Sequence, residues 1–202
     1  MSIEPETLNL SADYLDIGKF SGVKVDLRYA TLNNFTGENL YGHRLKSAFL
    51  HKDGAEKFLQ AIKRLQRSKP SWSFLVLDAL RPLSVQKRMW SFVEGTPQQI
   101  YVANPSRGSI HNFGLAIDLT LLNEKGVEVD MGTPFDSFEE LAQPRFEERF
   151  VESGLLTRAQ VDHRHILRDV MLGAGFLSIP HEWWHFNAIE MHAARSQYKM
   201  IE

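Results

Sequence analysis

Ser73–Asp78 (SFLVLD) is an apolar run too short for an ordinary helix, and its content suits a buried strand. Helical signals flank it on both sides. Upstream, the stretch from Asp53 to Arg67 sets Ala55, Phe58, Leu59, Ile62 and Leu65 at helical spacing, with Lys, Gln and Arg opposite them. Downstream, Arg81-Pro82 opens a helix through Trp90, because proline is tolerated in a first helical turn. A strand boxed between two helices must belong to a mixed fold.

The rest of the chain extends that pattern. Gly114 to Thr120 (GLAIDLT) alternates as a strand does, which predicts Ala116 and Asp118 on one face and Leu115, Ile117 and Leu119 on the other. Gly126 predicts a hairpin turn into Val127 to Met131, pairing the two segments antiparallel. Thr157 and Gln160 form a capping box for a helix through Leu172, which Gly173 or Gly175 ends, and from Phe176 the chain is extended again. These elements lack the regular repeat of parallel βαβ units. The expectation is therefore an α+β fold with a central antiparallel sheet flanked by helices, and residues 1–202 form one domain because no repeat, low-complexity tract or Gly/Ser linker divides them.

Charge narrows the function. Lys plus Arg number 23 against 25 Asp plus Glu, a net charge of −2 with no basic stripe, which removes the usual argument for nucleic acid. No stretch approaches the ~20 apolar residues of a membrane span. Met1 to Leu10, with Glu4 and Glu6, lacks the features of a signal peptide, so a cytoplasmic location is expected, although a periplasmic one is also compatible with a cysteine-free chain. With no cysteine there is neither a disulfide nor a thiolate metal site. Any metal must sit on His, Asp and Glu. The pattern specifies no oligomeric state.

Eight histidines then have to be sorted. His163 and His165 lie two apart in a polar part of the capped helix, where solvent exposure is expected; His43, His51 and His192 stand singly in amphipathic or turn-like surroundings and read as surface or hydrogen-bonded residues. His111 differs, because Asp118 follows it on the expected strand and the two could share a metal. His181-Glu182-Trp183-Trp184-His185-Phe186 sets Glu182 three residues before His185 in an aromatic run, where burying either polar group without a partner is costly. Two readings fit: a buried hydrogen-bonded pair among core tryptophans, or part of a catalytic centre. Positions i and i+3 lie on opposite faces of a regular strand, so a bulge or a strand end is required between them.

Together these segments resemble the D-alanyl-D-alanine dipeptidases, zinc peptidases related to the D-alanyl-D-alanine carboxypeptidases. The signature Ser-x-His-x-x-Gly-x-Ala-x-Asp is present from Ser109 to Asp118, and Glu-x-x-His from Glu182 to His185. Further matches in order are Tyr29-Ala30-Thr31, Asn34 to Gly37, Asp78 with Arg81-Pro82, Asp118 to Leu121, Met131-Gly132 and Phe135-Asp136. The resemblance implies one zinc ion per chain on His111, Asp118 and His185, with the fourth position open for water. It implies Glu182 as general base and acid and Arg81 as the residue that stabilises the oxyanion. By the same resemblance Asp136 binds the free ammonium of a dipeptide, while Ser109 and Tyr29 line the pocket. Read without it, Arg81 is first of all an ion-paired surface residue at a helix start, and Asp136 is equally a turn or cap.

The implied activity is hydrolysis of D-alanyl-D-alanine or a similar small dipeptide. Two alternatives stand beside it: a carboxypeptidase or endopeptidase acting on peptidoglycan peptides, and a zinc-binding module without catalysis. Leu80 stands where relatives often carry an aromatic residue, and Ile110 to Phe113 replaces a more polar, serine-rich version, so the departures concern specificity.

Overall fold

The computed structural model describes residues 10–42 and 45–202; the expectations for residues 1–9 and for His43 lie outside these. In chain order the elements are β1 (Tyr14–Asp16), β2 (Val23–Val25), β3 (Phe49–His51), α1 (Lys52–Ser68), β4 (Ser73–Asp78), α2 (Leu83–Val93), β5 (Ala116–Leu122), α3 (Glu147–Glu152), α4 (Arg158–Gly173), β6 (Leu177–Ser178), β7 (His185–Asn187) and α5 (Met191–Gln197). Five strands form the main sheet in the order β2-β4-β5-β7-β6, and β1 pairs with β3 in a small antiparallel sheet. The α+β fold expected from the sequence is present.

One edge departs from the antiparallel expectation: β2 runs parallel to β4. The chain reaches that register by crossing over through β3 and α1, the long connection that a parallel pair requires. α1 turns Ala55, Phe58, Ile62 and Leu65 into the core, where they join Phe74 and Val76 of β4, Ile117 and Leu119 of β5, and Leu167 and Met171 of α4. Phe150, Leu156 and Val161 make a smaller cluster under α3 and the start of α4.

β5 lies between β4 and β7, and all seven of its residues are buried. The expected division into a core face and a second face therefore gives way to a strand covered on both sides. This makes the buried Asp118 in its middle costly unless partners compensate its charge. The hairpin after β5 also shortens. Gly126 turns at φ 72°, but the expected strand from Val127 to Met131 shrinks to a single bridge between Leu122 and Glu128. The next carbonyls explain why: that of Asp130 accepts from His163 Nδ1 at 2.8 Å and that of Met131 from Arg164 Nε at 2.7 Å, so α4 draws the chain off the sheet.

These contacts correct the picture of α4 as well. His163 is half-buried, and His165 is half-buried with its Nε2 3.4 Å from Glu147 rather than free in solvent. Arg164, between them, is almost wholly buried. The capping box at Thr157 and Gln160 forms with both of its reciprocal bonds. No helix among the described residues is long and apolar enough to cross a membrane.

Candidate active site

Local rules build the first part of the site. Ser109 caps a 3-10 turn over Ile110–Phe113 and Asn112 reciprocates by accepting from the Ser109 amide at 2.6 Å. Gly114 closes the turn at φ 66°, a left-handed conformation that suits glycine, and a Cβ there would come within 2.8 Å of the Tyr14 ring. The turn thus delivers a buried His111 immediately before β5 begins.

Sheet register builds the second part. β4 and β5 pair regularly up to Val76↔Leu119, then shift by one residue so that Asp78, not Leu77, stands opposite Asp118. Asp118 in turn pairs with His185 on β7. The bulge therefore creates a row Asp78, Asp118, His185 across three strands. Glu182 precedes β7 in non-strand backbone, which removes the conflict between i,i+3 spacing and strand geometry.

His111 Nε2 and His185 Nδ1 face each other at 3.1 Å, with Asp118 Oδ1 at 3.4 Å from the first and 2.9 Å from the second. The opposite ring nitrogens are both engaged. His111 Nδ1 donates to the Ala79 carbonyl at 2.6 Å, and His185 Nε2 to Asn187 Oδ1 at 2.7 Å. With those protons so placed, both facing nitrogens of the neutral rings are bare lone pairs directed at a carboxylate. A cation satisfies all three at once, and one donor atom from each residue lies within 4.8 Å of the others. Burial opposes the Asp118 charge, which positive charge at the position of the two facing nitrogens favours.

Around this trio the remaining expected residues converge. Tyr29, Arg81, Ser109, Asp136 and Glu182 line the same cavity of about 320 Å³ as His111, Asp118 and His185. All eight positions singled out in the sequence therefore share one space. Glu182 lies 4.0 Å from His185 Nδ1, and burial pushes its carboxyl up to about 8. Arg81 is buried and held charged by Asp78, which accepts from Nε at 2.9 Å and from Nη2 at 2.6 Å. It also lies 3.7 Å from Asp118 and sits over the Tyr29 ring, so one guanidinium offsets two adjacent carboxylates. Asp136 has φ 62°, a left-handed conformation that aspartate tolerates better than most residues. Tyr29 donates to its Oδ1 at 2.7 Å, Oδ2 is buried without a partner, and burial pushes the carboxyl up to about 7.

Several residues of this network carry no role in the sequence reading. Asp78 and Gln86 clamp Arg81, the latter accepting from Nη1 at 2.9 Å, and Tyr41 donates to Asp78. Asn187 fixes His185. Asn187 was open to inference, because a residue two positions along a strand shares its face.

A carboxylate and an imidazole on neighbouring strands and a second imidazole on the turn before them, with a carboxyl and a guanidinium in the same cavity, fit one class: a peptidase with a potential metal centre. The family model described as D-ala-D-ala dipeptidase matches residues 11–201, and the chain belongs to that family. Curated relatives agree. The D-alanyl-D-alanine dipeptidase of Escherichia coli is 33% identical over 167 residues, covering 83% of this chain and 79% of the relative. That of Synechocystis sp. is 32% identical over 70% of each chain, and that of Enterococcus faecalis 27% identical over 84% of this chain and 87% of its own.

Proposed function

We propose that this protein is a zinc-dependent dipeptidase that hydrolyses free D-alanyl-D-alanine or a similar small D-amino-acid dipeptide, with one zinc ion on His111, Asp118 and His185. The observation that carries it is the meeting of two imidazole nitrogens and a carboxylate oxygen beside a half-buried glutamate. Two nitrogens and one oxygen match the donor set of catalytic zinc, which these three residues would hold. When bound, the ion supplies Lewis acidity, polarising the scissile carbonyl and making the attacking water readily ionised.

Glu182 would take a proton from the attacking water and return it to the amide nitrogen as the C–N bond breaks. Arg81 stabilises the negative charge that develops on the carbonyl oxygen. Asp136, held by Tyr29, offers its unpartnered Oδ2 to the ammonium of the dipeptide, while Ser109 and Tyr29 line the pocket. The names of the curated relatives support the same substrate.

The deciding experiment pairs metal analysis of the purified protein with an assay on free D-alanyl-D-alanine beside its L,L and N-acetylated counterparts. One zinc per chain and selective cleavage of the free D,D dipeptide are expected. A protein that binds zinc but leaves that dipeptide intact overturns the proposal, and equal cleavage of the N-acetylated form points to a carboxypeptidase instead. A second expectation concerns Asn187. Substituting Ala releases the His185 ring from its fixed tautomer, so zinc affinity falls by about 10- to 100-fold in competition with a calibrated chelator.

A further inference from the structure

Next to the cavity of the proposed site lies a second, more open one of about 550 Å³, between the segments 28–35 and 134–139. Three residues, Phe35, Asp136 and Phe138, line both. They form a partition. Its middle is Phe138, whose ring contacts Phe35 at 5.2 Å and Tyr101 at 5.3 Å between centroids, joining three segments distant in sequence. Tyr101 is itself anchored, because Gln143 Nε2 donates to its hydroxyl at 2.9 Å.

This arrangement bears on chain length, and it rests on the proposed dipeptidase reading. If Asp136 receives the substrate ammonium, any group attached to that nitrogen has to continue through the partition. The space beyond is already there, and Phe35 and Phe138 stand with Asp136 at its border with the site. We propose that Phe138, keyed between Phe35 and Tyr101, is the residue that restricts this enzyme to peptides with a free amino end, and that shortening it joins the two cavities into one site for amino-extended substrates. The rings against which Phe138 packs, Phe35 and Tyr101, carry no part of the chemistry, so its effect is on which peptides fit. The hydrolytic step is unchanged: water adds to the carbonyl, the C–N bond breaks and the proton goes to the leaving D-alanine.

The test compares zinc-loaded wild type with Phe138→Ala and Phe138→Leu on free D-alanyl-D-alanine, N-acetyl-D-alanyl-D-alanine and the tripeptide of D-alanine. In Phe138→Ala the ratio of kcat/KM for the extended substrates to that for the free dipeptide is expected to rise by about tenfold or more. Phe138→Leu, which keeps an apolar side chain in the gap, should rise less but in the same direction. An unchanged ratio overturns the proposal, and Phe138→Leu decides it alone if Phe138→Ala does not fold. Wild type that cleaves free and extended peptides alike also overturns it while leaving zinc peptidase activity standing. Wild type inactive on the free dipeptide brings down the dipeptidase reading first and this inference with it.

Discussion

Glu182→Gln is expected to lower kcat for the free dipeptide by about 10²- to 10⁴-fold while zinc content stays at the wild-type level. Glutamine keeps the size and polarity of the side chain but cannot accept and return a proton. The separation of roles rests on geometry: Glu182 sits 4.0 Å from His185 Nδ1 in backbone that precedes β7, outside the trio whose donor atoms converge. Its influence on His185, Asp118, Asp136 and Arg81 is through charge, so the amide removes an acid-base group without dismantling a ligand. Steady-state kinetics together with metal analysis check both halves. Near-normal kcat refutes the acid-base role, whereas zinc loss in step with activity makes Glu182 part of the metal site.

How far the sequence could be read follows from which physical rule governs each part. The Lys52–Ser68 and Arg158–Gly173 helices were legible because periodicity and capping are local. The Ser109–Asp118 segment was legible as a unit, since Ser109 caps and Gly114 terminates one tight turn. The register shift at Leu77 was not legible. A bulge depends on what stands opposite, and nothing within SFLVLD announces that Asp78 rather than Leu77 will face Asp118. The same limit explains the shortened hairpin after Gly126, where turn chemistry was right but Arg164 and His163, more than 30 residues away along the chain, take the next carbonyls. It also explains the packing of Phe138, which depends on the rings of Phe35 and Tyr101, both distant in sequence.

Arg81→Ala is expected to lower kcat/KM by about 10²- to 10³-fold, and the larger question is whether that loss reflects chemistry or a damaged fold. Three of the five guanidinium donors are committed, two to Asp78 and one to Gln86, which leaves two for the cavity that Arg81 lines. Removing the cation also strands Asp78 beside Asp118, so Arg81→Ala should lose about 3–5 kcal/mol of stability as well. A double variant separates the two effects. Arg81→Ala with Asp78→Asn removes the stranded charge but supplies no positive group, so urea unfolding should recover much of the lost stability while kcat/KM stays low. Arg81→Lys should not restore the rate either, because a single ammonium cannot reproduce the fork that binds Asp78 and Gln86 together. If activity instead returns with stability in the double variant, Arg81 is a brace for two neighbouring aspartates and the oxyanion must be stabilised by another group in the cavity.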